Sequence, residues 1–310
     1  MFLKQKHSRN QSIVFSEIEN SGISLSIKRE DTIHPLISGN KYRKLKYNLE
    51  AAKKQNKHTL LTFGGAHSNH LAATAAAGLE YGFKTIGIVR GEELEEKHEQ
   101  GNPINSTLDL AIQQQMKLNF VSRNDYRNKT SPTFINSLKE KFGEFYLIPE
   151  GGTNSLAIKG CEEILNKNDR EFEVICVSVG TGGTISGVIN SAENHQELLG
   201  FPALKGSFLK SEIDKYVLND KNWSLINKYH FGGFAKTSED LIAFINKFKG
   251  ETGIPLDPIY TGKMMFGIVD LIKRDYFERG TKILAIHTGG LQGIKGINEL
   301  LKKKNSVRLY

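Results

Sequence analysis

The sequence predicts an α/β fold built on parallel sheets, and three observations carry that prediction. Short runs of Val, Ile, Leu and Phe alternate with longer helical patterns from end to end. Four of the runs finish in glycine-bearing turns. A chain of 310 residues can bury the core of one large α/β domain, or of two smaller ones sharing a cleft. Continuous apolar runs suit strands covered on both faces, as helices cover a parallel sheet.

In chain order, the stretch SGNKYRKLKYN reads as a helix entered through Gly39 and Asn40, with Lys41 at the entrance. There the helix dipole helps to depress the amine's pKa. Lys44 and Lys46 are spaced for the outer side of that helix, and Lys44 alternatively faces a phosphate. Residues 59–63 form the first strand candidate and lead into the turn of LLTFGGAHSNH. Residues 84–89, 117–121 and 145–148 follow, the last ending in FYLIPEGGTNS. Residues 174–179 lead into VICVSVGTGGT, and 283–287 into ILAIHTGGLQG. Ligands of open α/β sheets sit outside the carboxyl ends of the strands, so four such turns converging make a pocket for something anionic and planar. The MMFGIVDLI stripe reads as core, and the segment around Trp223 carries no signal. There is no repeat of fixed period, no low-complexity segment and no Pro/Ser linker.

The formal net charge of +8 permits attraction to nucleic acid or to anionic metabolites. The lysines are scattered among acids, however, and the aromatic residues are not interleaved with arginines, so no nucleic-acid partner is expected. Cys161 and Cys176 sit in a helical pattern and an apolar run, which suits packing in a reducing compartment. The first residues lack an apolar signal region and no run is long enough to span a bilayer, so a soluble, cytoplasmic protein without a membrane partner is expected. His67 and His70 have no third ligand at recognisable spacing, so no metal is expected. Ser68 lies in no Gly-x-Ser-x-Gly elbow, which argues against a hydrolase nucleophile. His287 ends an apolar strand and reads as a satisfied, partly buried histidine.

SVGTGGTISGV is strand, glycine loop, then helix. No lysine follows its second glycine, as the Walker pattern requires, and Ile185 stands where the dinucleotide fingerprint needs its third glycine. What remains is a nest of N–H groups at Gly180, Thr181, Gly182, Gly183 and Thr184, suited to one phosphate group. A phosphomonoester cup beside a lysine in a second glycine turn suggests pyridoxal phosphate, whose aldehyde condenses with a lysine amine. Lys41, Lys44 and Lys46 are the amines on offer.

The stretches SGNKYRKLKYNL, GGAHSNHLAATAAAG, IPEGGTNSLAIKG, SVGTGGTISG, LDPIYTGKMMFGIVDLI and HTGGLQG together resemble the fold-type II pyridoxal-phosphate enzymes. Within them the chain is similar to the group of 1-aminocyclopropane-1-carboxylate (ACC) deaminase and D-cysteine desulfhydrase. The resemblance runs from Ser38 to Gly293. It implies a two-domain α/β fold like that of tryptophan synthase β, with parallel twisted sheets flanked by helices. Residues 1–46 plus 151–310 would form the large cofactor-binding domain, and 47–150 a small inserted one. It implies a homodimer acting on a small amino-acid substrate. Lys41 resembles the Schiff-base lysine, Asn69 the contact to the cofactor's ring oxygen, and Ser68 the active-site serine that holds the substrate carboxylate or assists proton transfer. Gly180 to Thr184 match the phosphate cup, and Tyr260 resembles the active-site tyrosine.

Two positions separate the group's activities. ACC deaminases resemble one another in a glutamine after Ser-Asn and a glutamate after the tyrosine, where this chain has His70 and Thr261. His70 therefore joins the expected substrate contacts, with Ser68 and Asn69, and Thr261 the expected cofactor contacts at the ring nitrogen. A carboxylate there holds the ring nitrogen protonated and deepens the electron sink, which opening a cyclopropane without an α-hydrogen demands. A threonine hydroxyl does not, so β-elimination of a thiolate is the easier path. D-cysteine desulfhydrase is accordingly the expected activity, with ACC deaminase and a catalytically silent phosphate- or cofactor-binding protein as alternatives. A second family tyrosine falls at Phe234, which has no hydroxyl; Tyr229 is the other phenol nearby.

Overall fold

In the computed structural model, which describes residues 6–218 and 222–310, the chain builds two sheets. The first strands are β1 (Asn10–Ser12) and β2 (Ser24–Lys28), followed by helix α1 (Asn40–Lys54). A run of alternating units comes next: β3 (Thr59–Gly65), α2 (Asn69–Tyr81), β4 (Lys84–Arg90), α3 (Glu95–Glu99), α4 (Ser106–Gln113), β5 (Met116–Val121), α5 (Arg123–Arg127), α6 (Pro132–Phe142) and β6 (Tyr146–Ile148). The remainder comprises α7 (Ser155–Cys161), β7 (Val174–Val179), α8 (Gly183–Ser191), β8 (Glu197–Pro202), α9 (Phe208–Asp214), β9 (Trp223–Leu225), α10 (Glu239–Thr252), α11 (Thr261–Lys273), β10 (Lys282–Ile286) and α12 (Gly293–Lys303).

Strands β3 to β6 form a four-stranded sheet in the order β5-β4-β3-β6, parallel throughout. The other six form a sheet in the order β1-β2-β10-β7-β8-β9. Its strands are parallel except for β1, which pairs antiparallel with β2 at the edge. The parallel pairing follows from composition: β7, VICVSV, is buried at every position and needs cover on both faces. All six strand candidates appear, each within two residues of its expected ends. Four strands had no clear signal. β2 (SLSIK) mixes polar and apolar residues, β8 (ELLGFP) is interrupted by a glycine and ends in proline, and β1 and β9 have three residues each.

Helix α1 lies between the two sheets. Tyr42, Leu45, Leu49 and Ala52 pack with Leu60, Ala73, Ala76 and Ile148 of the four-stranded unit, while the other side of the helix meets α7. There a Cβ on Gly160 would come within 2.0 Å of the Arg43 carbonyl oxygen. The helix thus runs unbroken across position 47, where the small domain was expected to begin. Among the described residues, no helix is long and apolar enough to cross a membrane.

Candidate active site

The four glycine turns meet at the carboxyl ends of β3, β6, β7 and β10, and each touches another. A Cβ on Gly152 would lie 2.8 Å from the His70 ring, one on Gly151 2.8 Å from Thr181, and one on Gly290 2.9 Å from the Asn69 amide nitrogen. The hydroxyls of Ser178 and Thr288 are 3.0 Å apart.

Lys41 enters from α1. The helix begins after Gly39, whose φ of +60° and 2.0 Å approach of its Cβ position to the Thr288 carbonyl oxygen leave room for glycine alone. Lys41 Nζ donates to Asn40 Oδ1 at 3.0 Å, and Asn40 Nδ2 donates to Thr184 Oγ1 at 2.7 Å, so one amide joins the lysine to the turn after β7. Lys41 keeps some contact with solvent. Even so, the protein packed around its amine, and secondly the Lys44 charge, lower its pKa to about 7.

The turn Gly180 to Thr184 leads into α8 with Gly182 at φ +84° as the cap, so the first N–H groups of the helix open toward the site. Beside them lies Lys44. Both it and Lys46, expected on the outer side of α1, are buried. Their partners are distant in sequence: Lys46 pairs with Glu163, and Lys44 Nζ donates to Gly151 O at 2.9 Å and Thr153 Oγ1 at 3.1 Å. Among the described residues Lys44 has no carboxylate partner, and burial lowers its pKa. A Cβ on Gly183 would come 2.8 Å from Thr153 Oγ1 and 3.2 Å from Lys44 Nζ. Glycine therefore keeps open a small polar space between a helix N-terminus and a buried ammonium. Thr153 hydrogen-bonds Thr181 at 2.7 Å across the same space. Thr153 was not singled out from the sequence, although the GGTNS turn that carries it was.

Ser68 caps α2, its hydroxyl accepting from Leu71 N–H at 3.4 Å. Asn69 is the first residue of that helix, and its Oδ1 is buried without a hydrogen-bond partner among the described residues. His70 is buried, and its tautomer follows from its neighbours. The Thr62 hydroxyl spends its hydrogen on Ile148 O at 2.8 Å, so it accepts from His70 Nε2–H at 2.9 Å. Nδ1 is then a bare acceptor, unpartnered among the described residues. Burial, then the Lys41 and Lys44 charges, hold the ring's pKa well below its usual value.

Tyr260 precedes α11 and lies against the turn after β7, where a Cβ on Gly180 would be 3.2 Å from its ring. Burial pushes its phenol pKa up, with the Asp257 charge adding. Thr261 is fully buried, but its hydroxyl does not stand free. It donates to Asp257 Oδ2 at 2.7 Å and accepts from Asp257 N–H at 2.9 Å. The Asp257 carboxylate also accepts from the backbone N–H groups of Ile259, Tyr260 and Thr261, which commits both its oxygens. Phe234 stands edge-on to Tyr260, ring centres 6.2 Å apart. Tyr229 offers no substitute hydroxyl, since its own donates to Asp270 at 2.7 Å. His287 is more deeply buried than expected and is satisfied at both nitrogens, by Pro255 O and Gly289 N–H.

An amine that releases its proton near neutral pH, beside a polar helix N-terminus, suits a phosphorylated aldehyde, and comparison with known proteins decides the matter. Residues 9–289 match the pyridoxal-phosphate dependent enzyme family. The chain belongs to that family. Its members named in curated collections include a bifunctional D-cysteine desulfhydrase/1-aminocyclopropane-1-carboxylate deaminase of Arabidopsis thaliana, 31% identical over 88% of this chain and 74% of that protein. A D-cysteine desulfhydrase of Klebsiella pneumoniae is 27% identical, covering 88% of each. Among solved structures, a homologue of ACC deaminase superposes with a TM-score of 0.82 at 26% identity, over 98% of this chain and 95% of that one. The cofactor of this family is pyridoxal phosphate, and the residues present fit it. The Gly183 turn beside Lys44 would suit a phosphate, the Lys41 amine an aldehyde, and the unpartnered Asn69 amide a polar ring substituent.

Proposed function

We propose that this pyridoxal-phosphate enzyme is a lyase that removes the β-substituent of a small amino acid and deaminates the remainder. D-cysteine plus water would give pyruvate, sulfide and ammonia. The Lys41 amine carries the reading: enclosed, with a pKa near 7, and linked through Asn40 to the glycine turn that opens α8. Bound pyridoxal phosphate supplies the electron sink that acidifies the substrate's α-carbon. Lys41 Nζ would anchor the cofactor and is the base placed to take the substrate's α-proton. Gly180, Thr181, Gly182, Gly183 and Thr184, with Lys44, hold the phosphate, and Asn69 the ring oxygen. Ser68, whose oxygen accepts from Leu71 N–H, has its hydrogen left for the substrate carboxylate. His70 Nδ1 accepts from the substrate, and the Tyr260 phenol, kept protonated by burial, donates a hydrogen bond to the departing thiolate.

The choice of D-cysteine rests on Thr261 and Asp257. With the threonine hydroxyl turned onto Asp257, and both Asp257 oxygens engaged, neither supplies a free carboxylate to the ring nitrogen. That is a weaker sink, sufficient to expel a good leaving group. ACC deaminase is the second reading, supported by the names of the Arabidopsis relative and of the superposed homologue. We also retain 47–150 as the smaller domain, supported by the placement of β3 to β6 within it. The two buried thiols support a reducing compartment such as the cytoplasm, and the sequence resemblance supports a homodimer.

The test is the visible absorption of the purified protein, followed while D-cysteine, L-cysteine and ACC are added and keto acid and sulfide assayed. Keto acid and sulfide from D-cysteine, reduced about 10²–10⁴-fold in Lys41→Ala, are expected. Keto acid from ACC alone would install the second reading. A protein that stays colourless with pyridoxal phosphate would defeat both and leave a silent binding protein.

A further inference from the structure

Helix α11 presents one row of side chains to the segment between β9 and α10. Tyr260, Lys263 and Phe266 follow one another at a spacing of three residues, and each meets a different part of that segment. Phe266 packs edge-on to Phe231, ring centres 5.0 Å apart. Lys263, buried, donates to His230 O at 2.9 Å and Gly233 O at 2.8 Å. Tyr260 meets Phe234. The segment bound in this way is conformationally unusual: Phe231, Gly232, Gly233 and Ala235 all have positive φ. A bulky residue such as Phe231 holds that conformation only where its surroundings impose it, and such positions gather at ligand clamps. The ammonium bridging two carbonyls is that imposed restraint. Burial lowers the Lys263 pKa to about 8, which leaves it charged at neutral pH.

The restraint presents a large apolar ring beside Tyr260. Phe234 is 43% exposed, beside a tyrosine that itself rests on the phosphate turn. We infer that the segment 230–235, latched by Lys263, walls the substrate site and that Phe234 forms a subsite for an apolar β-substituent, favouring amino acids that carry a thiol, alkyl or alkylthio group over those ending in a charged or hydroxyl group. The inference rests on the amino-acid reading above and specifies which amino acids. The Tyr260 phenol remains on the neighbouring side for polar contact, so the two rings divide the substituent's surroundings into an apolar and a polar half.

The experiment is a titration of the holoenzyme with alanine, 2-aminobutyrate and norvaline, each as D- and L-forms, read from the shift of cofactor absorption. In one enantiomeric series the dissociation constant should fall about fourfold for each added methylene, the value for burying that group. Phe234→Ala should flatten the series to within twofold, with the cofactor absorption of the variant confirming that it is loaded. Lys263→Met should flatten it as well and, without any substrate, speed tryptic cleavage after Lys236 at least tenfold. A flat series in the unaltered protein, or an unchanged gradient in Phe234→Ala, would overturn the inference alone. An absorption that no amino acid moves would overturn the amino-acid reading, and this inference with it.

Discussion

Lys41 and Lys44 sit one helical turn apart, both enclosed, and their environments set opposite experiments. Folding takes the Lys41 pKa from its ordinary 10.5 to about 7. Between those values the unfolded chain holds a proton that the folded apoprotein has released, so this lysine adds stability as pH rises from about 7 to about 10.5, and none of that gain is present below about 7. The rate of recombination with pyridoxal phosphate should rise with pH up to about 7 and then level; a rate still climbing tenfold per unit at pH 9 would contradict the depressed pKa. For Lys44, the substitution Lys44→Met removes a buried charge that has no carboxylate partner among the described residues. The apoprotein should melt no lower than the unaltered one, while its dissociation constant for pyridoxal phosphate, read by absorption, rises tenfold or more, about 1.4 kcal/mol. That Lys41, Asn69 and the GTGGT turn would gather in one place was legible in the sequence, because glycine turns after strands and a lysine at a helix entrance need no distant information. The burial of Lys44 and Lys46 was not, since Gly151, Thr153 and Glu163 lie more than a hundred residues away along the chain.

Secondary elements were readable where a run was long and apolar, as in β3, β4 and β7, and unreadable where the strand is defined by its neighbours. β9, three residues long, exists because β8 offers it a free edge. The entrance to α1 is the element on which the site most depends. Gly39→Ala would drive a methyl into the Thr288 carbonyl at a positive φ, costing well over about 1 kcal/mol in denaturant unfolding. Because Asn40 and Lys41 follow directly, the same variant should lose its visible absorption. If the variant retains unaltered stability and colour, the close approach of these two segments is wrong.

At the scale of the molecule, the site is assembled from turns of both sheets: Ser68 to His70 and Gly151 to Thr153 from one, Gly180 to Thr184 and Thr288 to Gly290 from the other. Sheet order was not visible in sequence, because β10 enters between β2 and β7 across more than a hundred residues. A cofactor held by all four turns should protect all four. At a hundredfold excess over its dissociation constant, pyridoxal phosphate should add about 2.7 kcal/mol to unfolding stability. Hydrogen exchange should slow in the turns of both sheets, and protection confined to one would show that the cofactor does not bridge them. The helix between the sheets adds a mechanical consequence. With 15 residues α1 is a stiff rod about 22 Å long. The amine lies at its beginning and Ala52 near its far end, so tilting the rod by roughly 3° sweeps the amine through about 1 Å, a misplacement that costs a rate about 10²-fold. Substitutions beneath Leu49 and Ala52 would therefore act as a lever, changing turnover by leverage while leaving every group around the amine chemically intact.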